Sequence, residues 1–475
     1  MFLQRFYHEG LAQASYLIGC ERTGQAIVID PNRDLDIYLR AASAKALQIT
    51  HVTETHIHAD YVSGSRDLAQ RTHAQLLLSG EGGPDWQYAF AAESHAKLVR
   101  DGDVIRVGLV ELRVLHTPGH TPEHLTFVVT DTPTSPHPMG AVTGDFIFVG
   151  DVGRPDLLER AAGVAGTMQA NAKQLYASLQ RFAANEPDHL QIWPGHGAGS
   201  ACGKALGAVP SSTLGYEKLS NWAFQARDEA SFVEEVLTSQ SAPPPYFAVM
   251  KRVNRDGPPG PANERLVRQR ADTLPNVMAQ GALVLDLRPT AAYGRGAVPG
   301  TVNLPLNVDF VSRAGWLVPY DRDIYVIAGD DDDTVAQTAR RELAMIGLDR
   351  VRGWFGPDAI ERVPAAERQT IPVVNVSDVA RRAGTGDAMI IDVRNAAEWE
   401  EGHIEGAIHV PLGELPAYAA QAAKNHRQMV LHCETGGRSA IGASVLLANG
   451  VTNVANMEGG YRAWSEAGLP TTSDA

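Results

Sequence analysis

Two sets of residues in this chain have the types and spacing to do chemistry. The first is a cysteine loop near the C-terminus. An apolar run, Met429-Val430-Leu431, leads through His432 into Cys433-Glu434-Thr435-Gly436-Gly437-Arg438, and Ser439 to Leu447 reads on as a helix. Strand, short loop and helix together place the Cys433 thiol at a strand end above a helix N-terminus. Gly436 and Gly437 let backbone N–H groups turn inward as an anion nest. The helix dipole and Arg438 add positive potential, so the thiol is predicted to fall below its free value of about 8.5 and to hold an anionic sulfur. A buried free cysteine is the plainer alternative; the paired glycines and the arginine weigh against it.

The second set is spread over four N-terminal loops. These are Thr55-His56-Ile57-His58-Ala59-Asp60-Tyr61, Thr117-Pro118-Gly119-His120-Thr121-Pro122-Glu123-His124, Gly144-Asp145, and Trp193-Pro194-Gly195-His196-Gly197. Each follows an apolar run, where a sheet can aim several side chains at one point. A single histidine is usually structural. Three loops that carry histidine and a fourth that carries Asp145 supply instead the imidazole and carboxylate donors of a metal site.

The elements that must position these residues are legible in outline. Ala26-Ile27-Val28-Ile29 reads as a buried strand ending in a turn at Asp30-Pro31, and Thr126-Phe127-Val128-Val129 as another. Ala172 to Phe182 reads as a helix, with Leu175, Leu179 and Phe182 at helical spacing. Strands mixed with helices predict a layered α/β domain. Proline-rich stretches at 243–245 and 256–261 read as a connecting segment, with loops of the first domain as the other reading. Beyond them lies a repeat: Leu285-Asp286-Leu287-Arg288 matches Ile391-Asp392-Val393-Arg394, and Pro299-Gly300 through Pro305-Leu306 matches Glu405-Gly406 through Pro411-Leu412, at a constant offset of 106 residues. A unit of that size is a domain and not a solenoid repeat. The chain therefore divides into 1–245, 265–365 and 372–475. In the middle copy Gly329 stands where the last copy has Cys433 and Thr334 where it has Arg438, with Asp330 to Asp333 between them. Four carboxylates repel a thiolate or sulfite, so this copy is expected to be inactive, a scaffold or contact surface that could serve a homo-oligomer. A calcium site on the aspartate run is the weaker reading, because charge runs are usually solvated.

Composition bounds the function classes. The 475 residues are 44 % hydrophobic and 20 % charged, enough for ordinary cores. A net charge of −14, from 41 basic and 55 acidic residues, argues against a nucleic-acid partner. Three cysteines, Cys20, Cys202 and Cys433, without a CxxC pair point to a reducing compartment. Neither a signal peptide nor an apolar stretch of the ~18 residues needed to span a bilayer is found. A cytoplasmic location without membrane attachment is expected. Cys20 reads as core, and no role is assigned to Cys202.

The Cys433–Arg438 loop, the Asp392-Val393-Arg394 strand and the ending Glu458-Gly459-Gly460-Tyr461-Arg462-Ala463-Trp464 resemble rhodaneses, the sulfurtransferases. That resemblance implies that Cys433 carries a persulfide and that Glu434, Thr435, Gly436, Gly437 and Arg438 bind it. The four histidine and aspartate loops resemble the metallo-β-lactamase superfamily over roughly residues 1–200. The implied architecture is an αββα sandwich followed by two small rhodanese-like α/β domains. Two-zinc hydrolases such as glyoxalase II carry a histidine where this chain has Tyr61, which favours a single metal. The resemblance to mononuclear persulfide dioxygenases implies one Fe(II) per chain held by His56, His120 and Asp145, a two-histidine, one-carboxylate triad with open positions for O₂ and a thiolate-like donor. His58, Asp60, Tyr61 and His196 would then orient ligands and water. Arg154 and Tyr176 fall where that family contacts its thiol cofactor; a surface ion pair and a half-buried core tyrosine read those positions equally well. The whole order resembles bacterial fusions that oxidise a low-molecular-weight thiol persulfide to sulfite and pass sulfane sulfur among persulfide, sulfite and thiosulfate. A glyoxalase II-like zinc thioesterase fused to a rhodanese, and a non-catalytic sulfide sensor, are the alternatives.

Overall fold

Inner strands with apolar residues on both faces are covered on both sides, and edge strands such as the first and sixth of the N-terminal sheet are partly exposed. In the structure, a computed structural model, these form β1 (Phe2–His8), β2 (Gln13–Cys20), β3 (Gln25–Ile29), β4 (Gln48–Thr53), β5 (Gln75–Ser79) and β6 (Lys97–Val99), one sheet in that order. A second sheet runs β12 (Ser212–Thr213), β11 (Gln191–Pro194), β10 (Gly140–Gly144), β9 (Leu125–Asp131), β8 (Val110–His116), β7 (Val104–Val107). The structure describes residues 1–157, 159, 166–204, 206–238, 240, 242–260 and 265–473. Pro261 of the second proline stretch and the last two residues of the expected third domain lie outside them.

The two-residue alternation of a strand sorts the side chains. Tyr16, Ile18, Ile27 and Ile29 meet Val110, Leu112, Phe127 and Val129 in a core between the sheets. Leu17, Ala26 and Val28 face the opposite way and pack with Leu35, Tyr38 and Leu68 of helices Leu35–Ala44 and Ser65–Thr72. Val128 and Ala141 pack outward on Leu175, Leu179 and Phe182 of helix Met168–Asn185. The result is the αββα sandwich that the sequence led us to expect.

The proline-flanked segment differs from a connecting linker. Tyr246–Asp256 is a helix, with Pro245 at its N-cap, where an amide has no helical partner in any case. Phe247, Met250 and Asn254 fall on one face at i, i+3, i+7 and are buried. The helical stripe is short and lies between prolines, which is why composition hid it.

By contact density the chain forms two units, Met1–Pro261 with Ala344–Gly347, and Ala262–Leu343 with Leu348–Ala475. The second unit contains two parallel sheets. One runs β14 (Val302–Asn303), β13 (Leu283–Asp286), β15 (Ile324–Ile327), β16 (Val351–Phe355). The other runs β20 (Ile408–His409), β18 (Ala388–Asp392), β21 (Gln428–His432), β22 (Val454–Met457), β17 (Val373–Val374). The strands that carry the sequence repeat occupy equivalent places, and the second copy adds β17 at its edge. Among the described residues no helix is long and apolar enough to cross a membrane.

Candidate functional site

The histidine and aspartate loops converge at one end of the sandwich. His56 follows β4, His120 lies between β8 and β9, Asp145 follows β10 directly and His196 follows β11. Gly144 turns the chain at φ +49°; a side chain there would lie 2.5 Å from Thr55 Oγ1. His56, His120 and Asp145 each present a donor atom within 4.8 Å of the others, and all three are buried. His56 Nε2 and His120 Nε2 face Asp145 Oδ2 at 4.0 and 3.4 Å.

The remaining ring nitrogens are held from behind. His120 Nδ1 donates to the Arg154 carbonyl at 3.0 Å. His56 Nδ1 bonds Thr55 Oγ1 at 2.9 Å, and that hydroxyl donates to Asp30 Oδ2 at 2.9 Å. Each Nδ1 therefore carries the proton and each Nε2 lone pair points inward. Burial lowers the pKa of both rings, in His56 with the help of neighbouring imidazoles and in His120 against the pull of Asp145. Neither oxygen of Asp145 accepts a hydrogen bond from any N–H or O–H group. Lone pairs facing a buried carboxylate repel one another unless a cation lies between them. The residues present therefore fit a metal ion.

The other sequence candidates take distinct places. His196 donates from Nδ1 to the Ala12 carbonyl at 3.0 Å and aims Nε2 at Asp60 Oδ2 and Asp145 Oδ1, at 3.3 and 3.4 Å. Burial raises the Asp60 pKa against the opposing charge of His196. His58 bonds Asp30 Oδ1 through Nε2 at 3.1 Å; burial disfavours its charge, but the Asp30 carboxylate outweighs this and lifts the pKa to about 9. Tyr61 packs on the His58 ring and donates to the Asp30 carbonyl at 3.2 Å, so its hydroxyl is turned to main chain. Arg154 is fully buried and forms two bonds to Asp156, at 2.7 and 2.8 Å. Its ion pair is thus internal and not at the surface, and its carbonyl orients His120. Tyr176 is half-buried against Phe232.

Several residues escaped sequence reasoning. Cys202 is buried beside Asp60 and His196, with ligand atoms within 4.8 Å of one another. Burial and the nearby Asp145 and Asp60 charges raise its pKa well above the usual thiol range, so it stays a neutral thiol. Asp30 takes the Thr55 amide at 2.6 Å and thereby ties the His56 and His58 loop to β3. Glu123 Oε1 takes the Ile57 amide at 2.7 Å, and burial pushes its pKa up to about 7. Asn254, on the helix between the prolines, donates to the His58 and Tyr61 carbonyls at 2.8 and 2.7 Å. Asp30 ends an apolar strand, and this was the one available signal; the other contacts join residues far apart in sequence.

In the second unit, Cys433 follows β21 and helix Gly437–Ala448 begins just beyond it. Gly436 stands at φ +99° and donates its N–H to Cys433 Sγ at 3.2 Å, and Ser439 Oγ lies at 3.5 Å. Burial alone would raise the thiol pKa. Hydrogen bonds from the Ser439 hydroxyl and the amides of Ser439, Thr435 and Gly436 outweigh it, and the pKa falls. Arg438 is paired with Glu398 at 2.6 and 2.5 Å, so its charge is shared with that carboxylate. The Glu434 side chain turns to Arg394 and Arg462, each at 3.6 Å. This loop can stabilise an anionic sulfur through its amides. All three cysteines are free and buried.

Comparison with known proteins matches two regions of the chain to known families. Residues 8–196 match the family model for the metallo-beta-lactamase superfamily, and residues 375–467 match that for the rhodanese-like domain. A metallo-beta-lactamase from Staphylococcus aureus subsp. aureus COL, known from its crystal structure, is similar at 42 % identity and a TM-score of 0.67, over 75 % of this chain and 99 % of its own. A hydroxyacylglutathione hydrolase of Polaromonas sp. is 34 % identical over 38 % of this chain and 61 % of its own length. The mitochondrial persulfide dioxygenase ETHE1 of Bos taurus is 27 % identical over 41 % of this chain and 68 % of its own.

Proposed function

This chain belongs to the metallo-β-lactamase superfamily and ends in a rhodanese-like domain, and from that premise we propose that it is a bifunctional sulfur-oxidising enzyme. Its first activity is the Fe(II)- and O₂-dependent conversion of a low-molecular-weight thiol persulfide to sulfite and free thiol. Overall, RSSH, O₂ and H₂O give RSH and H₂SO₃. The observation that carries this reading is the pair of neutral imidazoles whose Nε2 atoms face Asp145 Oδ2. Two histidines and one carboxylate leave coordination positions open. Bound iron would supply O₂ activation, which no side chain performs. The protein's part is to keep His56 and His120 neutral by burial, to hold them through Thr55 and Arg154, and to keep N–H and O–H donors off the Asp145 oxygens. The likeness to the bovine persulfide dioxygenase supports the substrate class.

The second activity belongs to Cys433. Its thiolate attacks the outer sulfur of thiosulfate; a new S–S bond forms, the old one breaks, and sulfite leaves with the electron pair. The reverse reaction returns thiosulfate from sulfite. The depressed thiol and the amides around it support this role. Free, unpaired cysteines fit a cytoplasmic setting for both steps.

Oxygen uptake by the iron-loaded protein with a panel of thiol persulfides, glutathione and coenzyme A among them, tests the first activity. Stoichiometric uptake with sulfite release is expected, and no uptake on any persulfide overturns it. The group Asp60, His196 and Cys202 favours a second reading, a two-metal zinc thioesterase of the hydroxyacylglutathione hydrolase kind. Metal analysis of protein purified without added metal separates the two: about one iron per chain supports the dioxygenase, and two zincs support the thioesterase.

A further inference from the structure

The first repeat of the second unit lacks a cysteine, yet it reaches toward the cysteine site of the second. Helix Phe310–Leu317 of the first repeat packs on the turn Leu412–Glu414 of the second, with the Trp316 ring against Gly413. A second tie joins the Asn303 amide to Ser444 Oγ at 2.9 Å, and Ser444 lies on the helix that the cysteine loop opens. Arg313 stands one helical turn before Trp316 and therefore on the same face. Its guanidinium lies within electrostatic reach of both the Cys433 sulfur and Arg438.

Charge around the loop gives this placement its meaning. Arg438 is chelated by Glu398, Arg394 by Asp392, and Arg462 faces Glu434. Arg438 and Arg394 are thus hydrogen-bonded to carboxylates, whereas Arg462, 60 % exposed, faces Glu434 only across 3.6 Å and stands in solvent. Among the described residues the Arg313 side chain has one hydrogen bond, from Nη2 to Asp309 Oδ2 at 2.6 Å, and Asp309 is 52 % exposed while Arg313 is 20 % exposed. Solvent weakens that pair, and the guanidinium keeps further donors for oxygen atoms.

We propose that Arg313 is a recognition residue for the oxyanion end of thiosulfate or sulfite at the Cys433 site, so that the cysteine-less repeat completes the site of its neighbour. The inference rests on the sulfur-transfer reading above. It assigns to the first repeat a substrate-binding role in place of a purely structural one.

The test uses the full-length protein with Arg313→Gln, Arg313→Lys and Asp309→Asn. Thiosulfate–cyanide transfer is followed at varied thiosulfate, and Cys433 alkylation is timed with anionic iodoacetate and neutral iodoacetamide. A lost charge-assisted contact should raise the KM for thiosulfate by about tenfold in Arg313→Gln with kcat nearly unchanged. Arg313→Lys should restore part of it, and Asp309→Asn, which frees the guanidinium, should lower KM. Iodoacetate should slow relative to iodoacetamide in Arg313→Gln alone. An unchanged KM together with an unchanged reagent ratio overturns the proposal, and so does equal slowing with both reagents, which signals a disturbed loop. If the parent protein transfers no sulfur, the transfer reading fails, and the reagent ratio still decides whether Arg313 attracts anions to Cys433.

Discussion

The two repeats of the second unit are built alike around their first strands. In one, Arg394 bonds Asp392 at 2.7 Å and the Gly402 carbonyl at 2.7 Å. In the other, Arg288 bonds Asp286 at 2.7 Å and the Gly296 carbonyl at 3.1 Å. The loops over the next strand then diverge. At Cys433, amides turn to the sulfur. At Gly329–Thr334, Asp332 Oδ1 takes the Thr334 amide at 3.0 Å, while Asp331 pairs with Arg268 and Asp333 with Arg265, at 2.7 and 2.6 Å. The amide that could serve an external anion there is filled by the chain's own carboxylate. The shared Asp-x-Arg therefore marks the scaffold, and the loop decides whether the scaffold can hold a reactive sulfur.

The largest expected effect falls on the loop. Cys433→Ser should cut thiosulfate–cyanide transfer by about 10³-fold or more, since the nucleophile is gone, and should leave oxygen uptake with persulfide intact. Persistent transfer would break the contrast between the repeats. Next comes the scaffold. Asp392→Ala and Asp286→Ala each strand an arginine in the interior, which costs about 3–5 kcal/mol for a buried pair. Denaturant unfolding should show the greater loss for Asp392→Ala, because Arg394 is 3 % exposed and Arg288 14 %. Equal, negligible losses would remove the claim that the motif is structural.

A smaller effect concerns acidity. The thiolate is the reactive form, so iodoacetamide alkylation of Cys433 should rise with pH through a midpoint below the ordinary thiol value. Ser439→Ala removes a hydrogen bond to the sulfur and should move that rise to higher pH, by about one unit. An unmoved midpoint would show that the hydroxyl plays no part. The smallest effect sharpens the comparison most. Gly329→Cys in the Cys433→Ser background should add no transfer, because the fold is present and the free amides are not. Any activity above that background would show that a thiol alone suffices on this scaffold.

The layered α/β character, the helix read over 172–182 within Met168–Asn185, the repeat and the cysteine loop were legible because they depend on short-range patterns: alternation, helical spacing and glycine placement; the αββα sandwich itself was implied only by the family resemblance. The helix at 246–256 was not, because its stripe spans only two turns between prolines. Cys202 was unassigned for a different reason. Its meaning depends on Asp60 and His196, which approach it only when β4 and β11 carry their loops to the same end of the sandwich.

Residue types and local spacing determined which groups can bind a metal or carry sulfur, because donor chemistry and the strand–loop–helix turn are properties of a few consecutive residues. Tertiary structure alone decided which arginines near Cys433 already have partners, which imidazole nitrogens face Asp145, and that the helix Phe310–Leu317 of one repeat, which carries Arg313, packs on the turn Leu412–Glu414 of the other. Those outcomes depend on distance and desolvation between segments far apart in the chain, and no local pattern encodes them.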